Sequence, residues 1–169
     1  MKAAIEMFCA LAALTASAAF DSEEWLAKRA MLSQEAERLK IAYTNCVARL
    51  TEPAEDITIP LETFPDGSVK SSVYAKRAMY FMDTGLVWAE NVVVKKMDGE
   101  RNIVAQIDAR NCVIDRETKS GWADGKARVR HGKTVFTGEG IYFSSPEGYV
   151  MVSKDSKIES KDLNFGGLQ

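Results

Sequence analysis

Tyr74-Ala75-Lys76-Arg77-Ala78 … Trp88-Ala89-Glu90-Asn91 aligns without a gap on Asp108-Ala109-Arg110-Asn111-Cys112 … Trp122-Ala123-Asp124-Gly125, 34 positions later. Ala75/Ala109, Trp88/Trp122 and Ala89/Ala123 are identical, and Lys76/Arg110 and Glu90/Asp124 keep their charge. A looser third copy runs from Thr137-Gly138-Glu139-Gly140-Ile141-Tyr142-Phe143 through Gly148-Tyr149-Val150-Met151. Each unit reads as a small residue, a strand, an acidic or Gly turn, a second strand, and a corner of an acid followed by Asn or Gly. Such a unit cannot bury its apolar face alone and needs stacked neighbours.

The same pattern extends outward. Turn signals stand at Pro65-Asp66-Gly67-Ser68, Asp83-Thr84-Gly85, Asp98-Gly99-Glu100, Arg116-Glu117-Thr118-Lys119-Ser120-Gly121, His131-Gly132-Lys133 and Ser144-Ser145-Pro146-Glu147-Gly148. They predict strands over Val69–Met82, Leu86–Lys96, Arg101–Asp115, Trp122–Arg130, Thr134–Phe143 and Tyr149–Ile158. The fold class is therefore all-β, an antiparallel meander of long strands. Alternation is clearest in Ile103, Ala105 and Ile107, and in Ala127 and Val129 set against Arg128 and Arg130. Those five apolar residues are expected to face one interior. Tyr80, Met82, Trp88, Phe143, Tyr149 and Met151 are further interior candidates, though their strands alternate too weakly to fix which point inward.

One long helix precedes the strands. Asp21 can cap it, with Glu23 and Glu24 at the positive end of its dipole, and neither Gly nor Pro interrupts the chain before Pro53. Helix is predicted over Ser22–Leu50. Leu32, Ala36, Leu39, Tyr43, Cys46 and Leu50 recur at spacings of 4, 3, 4, 3 and 4, a narrow seam. The seam either docks on the following domain or pairs with another helix or partner protein. Pro53, Pro60 and Pro65 then forbid helix, so residues 53–68 read as a linker and turn with Ile57-Thr58-Ile59 briefly extended.

The first residues read as an address. Lys2 is followed by an apolar stretch ending Ala16-Ser17-Ala18-Ala19, with small residues suited to cleavage after Ala18 or Ala19. Its uninterrupted run, Met7–Leu14, is short for a membrane span, which needs ~20 residues. The expectation is an exported protein; the alternative is an uncleaved anchor facing the periplasm. Removing Cys9 leaves Cys46 and Cys112, which export would permit to pair, the other possibility being two buried thiols. The predicted organisation is address 1–19, helix 20–52, linker 53–68, β-domain 69–163 and tail 164–169.

Composition and motifs narrow the chemistry. The 169 residues carry 22 Lys+Arg against 24 Asp+Glu, a net charge of −2 that offers no footprint for nucleic acid. His131 is the only histidine, which rules out a His-rich metal site and leaves any triad dependent on one residue at a predicted turn tip. There is no Gly-rich phosphate loop, no Gly-x-Ser-x-Gly and no Cys-x-x-Cys. No enzymatic activity and no cofactor are expected. Trp88 and Trp122 are either packing residues or aromatic walls of a groove. Lys95-Lys96, Arg128/Arg130 and Lys154/Lys157 either face solvent or meet lipid phosphates.

Ala78-Met79-Tyr80-Phe81-Met82-Asp83-Thr84-Gly85-Leu86-Val87-Trp88-Ala89-Glu90-Asn91-Val92-Val93-Val94 resembles the repeating unit of the OstA-like domain of periplasmic lipopolysaccharide-transport proteins, the LptA and LptC family. Ile114–Thr118 with Ala123–Val129, and Thr137–Phe143 with Val150–Val152, resemble further units, so the resemblance covers about Val69–Leu163. It implies an elongated, open β-jelly-roll whose apolar interior carries lipid acyl chains. It also implies partners: a lipopolysaccharide-like lipid, and related β-jelly-roll domains or copies of this chain meeting at strand edges. The helix is not a standard part of that family's soluble bridge member, and the family's inner-membrane member keeps its anchor.

Overall fold

The computed structural model describes residues 8–10 and 22–160. The expected address and the tail 164–169 fall outside the described residues, except for a three-residue strand, β1 (Phe8–Ala10). Helix α1 (Ser22–Ala48) is followed by seven long strands: β2 (Ala54–Thr63), β3 (Val69–Phe81), β4 (Leu86–Met97), β5 (Ile103–Asp115), β6 (Ser120–His131), β7 (Thr134–Ser144) and β8 (Tyr149–Ser160). They form one antiparallel sheet in the order β1-β8-β7-β6-β5-β4-β3-β2, so every long strand pairs with its neighbour in sequence. The described residues are all-β with one helix, and the strands follow the turn spacing.

Residues 53–68 are not a linker. Ala54–Thr63 pairs with β3 from Ala54↔Ala78 to Thr63↔Val69, which makes it the far edge strand. Proline is tolerated there because an edge strand has one side without a ladder partner. The register shifts beside Pro60, between Pro60 and Glu62.

The acid-plus-Asn/Gly corners of the repeat are bends within strands. Asn91 has φ 51°, Gly125 φ 71° and Gly140 φ 67°, with Asp56 and Asp155 also left-handed on β2 and β8. On β3, buried Ala75 and Ala78 are separated by two exposed residues, Lys76 and Arg77; on β4, Ala89 and Val92 are separated by half-buried Glu90 and exposed Asn91. Two consecutive outward residues reset the period-two phase, so both halves of a strand send apolar residues to the same side. An added Cβ at Gly125 would meet nothing within 4 Å, so Gly125→Ala isolates the backbone cost of that left-handed position. It should lower stability by about 1–2 kcal/mol in a urea melt, and an unchanged midpoint would show that the corner does not need glycine.

The bends fold the sheet back on itself. Ser71, in the cross-strand row with Lys96, Ala105 and His131, hydrogen-bonds Ser145 Oγ at 2.8 Å. Ser145 lies at the opposite end of the strands, in the β7–β8 turn. The inner side of this fold holds one apolar cluster, from Leu61 and Val73 through Val94, Ile107 and Val129 to Phe143 and Val152.

The helix covers the other face. A row running Met79–Trp88–Val113–Trp122–Tyr142–Met151 crosses β3 to β8, and the helix packs Leu32, Ala36, Leu39 and Cys46 against it, with Tyr43 and Leu50 at the margin. The seam is thus occupied by the chain's own sheet, not held open for a partner helix. Two basic side chains on α1 and one just past its end clamp the strand ends. Lys28 reaches Glu147 at 2.8 Å, Arg38 reaches Asp115 at 2.6 Å, and Arg49 reaches Asp83 at 2.9 Å.

Candidate functional site

A cavity of about 240 Å³ lies between the two folded halves of the sheet. Val94, Ile107 and Val129 line it from β4, β5 and β6, and Phe143 and Val150 from the ends of β7 and β8. Ala105 and Tyr149 also border it, and its polar lining includes Ser71, Lys96, His131 and Ser145. It exists because the bends bring strand ends together that lie far apart along the ladder, while small residues in the row Ala78–Ala89–Cys112–Ala123 keep the interior shallow at the fold.

Several sequence candidates meet there, and others do not. Ala105, Ile107, Val129, Phe143 and Tyr149 border the cavity; Ala127 belongs to the same apolar cluster without lining it. Ile103 is 46% exposed, because it stands at the open start of β5 beyond the folded part. Tyr80 and Met82 are 48% and 87% exposed at the opposite strand ends. Trp88 and Met151 are buried on the helix-covered face, one residue out of phase with the inward Ala89 and Val152. Tyr149 packs on that helix side too, with the Lys28 ammonium 4.6 Å from its ring centre.

Cys46 and Cys112 are buried free thiols. They belong to clusters on opposite faces of the sheet, so a bond between them would have to pass through it. Burial pushes both thiols up from their ordinary value, which makes them poor nucleophiles.

His131 is a cavity residue that the turn reading missed. It is the last residue of β6, half-buried, and burial lowers its pKa from the ordinary 6.5, so it is neutral at pH 7. The signal was its position two residues after Val129, which places it on the inward face. Beside it lies a polar latch between the folded edges. Glu62 accepts a hydrogen bond from Ser145 Oγ at 2.6 Å and another from Ser71 Oγ at 3.2 Å, while Lys96 Nζ donates to the Ser145 carbonyl at 2.6 Å. Burial works to raise the Glu62 carboxyl, but those hydroxyls and the nearby Lys96 charge hold it below its ordinary value.

A second polar group ties the helix down. Arg38 bridges Glu35, at 2.6 Å, to Asp115, and Glu35 also accepts from Ser120 at 3.2 Å. Arg38 holds the Glu35 carboxyl below its ordinary 4.5. A depressed carboxylate contributes stability that is present above the unfolded pKa and disappears as pH falls through the folded one. Thermal melts should therefore drop below about pH 4.5, and less steeply for Glu35→Gln. Equal slopes would show that the pair is not coupled to folding.

Among the described residues no group of three or more His, Cys, Asp or Glu side chains could hold a metal ion. No helix among them is long and apolar enough to cross a membrane. No protein-family model matches the chain, and no curated protein does.

Proposed function

We propose that this chain is a lipid-handling protein of the cell envelope, similar in role to the lipopolysaccharide-transport components its repeat resembles. It shelters acyl chains between the folded halves of its sheet and meets related β-domains, or copies of itself, through strand edges. The observation that carries the reading is the apolar cavity inside a single folded sheet, which the protein's own side chains leave unfilled. Interiors are normally packed to crystal-like density, and an unfilled apolar space is what an adaptable apolar ligand needs. Burying a chain stabilises the complex by ~0.8 kcal/mol per CH₂, against ~0–1 kcal/mol for a surface charge contact.

Delipidated protein titrated with a fluorescent fatty-acyl probe tests this. Saturable binding that depends strongly on chain length and weakly on salt is expected. Absence of binding would leave a scaffold reading that rests on the strand edges, since the helix seam is already in use. Affinity that collapses with salt and ignores chain length would place the ligand on the basic outer face instead. Export belongs to the same proposal: an intact mass lacking the residues up to Ala18 or Ala19 is expected from periplasmic material. A mass retaining them would favour an anchored protein. Cleavage there would also remove β1, which pairs Phe8↔Met151 along the outer edge of β8, and so bare that edge.

A further inference from the structure

Resting on that reading, we infer that the cavity is built for one single-chain anionic amphiphile of about ten carbons, with its head between Lys96 and His131. The size follows from the volume. A sealed protein cavity of ~150 Å³ takes benzene, six carbons, so by proportion the sheltered 240 Å³ takes about ten, any further carbons lying toward its open side. A lipid with several acyl chains needs several times that space. The walls are also stopped from within. The Phe143 ring lies so close to Gly121 that a Cβ there would collide with its Cζ, and Val152 lies equally close over Gly138. At these two points the interior beyond the cavity is closed by side chains packed directly on glycine backbone.

The head group is assigned by the polar lining. Lys96 pairs with Ala105, and Ala105 with His131, so the two side chains flank Ala105 on the inward face, two strand spacings or ~10 Å apart. Lys96 Nζ has no carboxylate within 4 Å among the described residues; its one contact is the Ser145 carbonyl. Glu62, which feels the Lys96 charge, has its carboxylate hydrogen-bonded by the Ser71 and Ser145 hydroxyls. The His131 imidazole makes no side-chain hydrogen bond among the described residues and supplies a donor. A cation hydrogen-bonded only to a carbonyl among the described residues, its charge shared with nearby Glu62, faces an unpartnered imidazole across the same apolar void, and the pair is complementary to a carboxylate or phosphate on an alkyl tail.

The test is calorimetric titration of the delipidated full chain with n-alkyl carboxylates of six to sixteen carbons. Decyltrimethylammonium and a two-chain phosphatidylglycerol serve as comparison ligands. Affinity should rise about fourfold per added CH₂ up to about ten carbons and then level off. Decanoate should bind at least tenfold tighter than decyltrimethylammonium, and Lys96→Met should erase that difference. The head-group comparison on the unsubstituted protein stands even if Lys96→Met does not fold. Affinity still climbing at sixteen carbons, or two-chain lipid binding as tightly as decanoate, would overturn the single-chain inference and leave the lipid-handling reading intact. Equal binding of the cationic and anionic amphiphiles would overturn the head-group assignment. If no amphiphile binds, both fail.

Discussion

Ile107→Asp should destabilise the protein by about 4 kcal/mol, combining the lost apolar burial of isoleucine with a carboxyl left among apolar groups. Ile107 is 6% exposed, in the row Val73–Val94–Ile107–Val129 on the inner face, one row from Lys96, whose ammonium is bound to the Ser145 carbonyl. The interior raises the new carboxyl's pKa above its unfolded value. Stability is then lost as pH rises above the unfolded value, so the penalty should be smaller at pH 4 than at pH 7. Ile107→Val removes one methylene and should cost about 1 kcal/mol. Urea melts of the three proteins at both pH values decide it. An unchanged midpoint for Ile107→Asp would mean that the residue faces water and that the folded interior is wrong.

Leu39→Ala should cost about 3 kcal/mol. Leu39 is fully buried at the centre of the helix seam, against the row that contains Trp88 and Trp122. The three clamps from Lys28, Arg38 and Arg49 are surface or half-buried pairs, screened by solvent and weak, so the seam rather than the charges holds the helix. Ile41 is 56% exposed on the same helix, and Ile41→Ala should stay within about 0.5 kcal/mol. Melts followed by tryptophan emission report on this face, because two of the three indoles, Trp88 and Trp122, lie under the helix. A Leu39→Ala protein that melts with the parent would show that the helix is dispensable to the domain. Equal losses for Leu39→Ala and Ile41→Ala would show that the seam is not the docking face.

Two local signals, the turn residues and the period-two alternation between them, were enough for the order and approximate length of β3 to β8. Asp83-Thr84-Gly85, Asp98-Gly99 and His131-Gly132 stop strands wherever they occur, because their preference for tight or left-handed backbone does not depend on what lies nearby. The helix was equally legible: twenty-seven residues with no Gly or Pro and a regular apolar seam admit little else. The repeat was legible too, with its corners at Glu90-Asn91 and Asp124-Gly125, though not that these corners bend strands instead of ending them.

What only the tertiary structure decided is which face each apolar residue serves. In the half of the sheet under the helix both faces are covered, so Leu86–Ala89 and Cys112–Asp115 are buried without alternation and period two carries no information there. Trp88 and Met151 look like interior residues for that reason and lie on the helix side. The corners then shift the phase by one residue, so inward positions in one half of a strand do not extrapolate to the other. β2 was hidden because three prolines argue against a strand in the middle of a sheet, and nothing local reveals that this one lies at the edge. The cavity itself depends on Ser71 and Ser145 meeting across 74 positions of sequence. No periodicity reports that distance, because it is set by the sum of five bends rather than by any one of them.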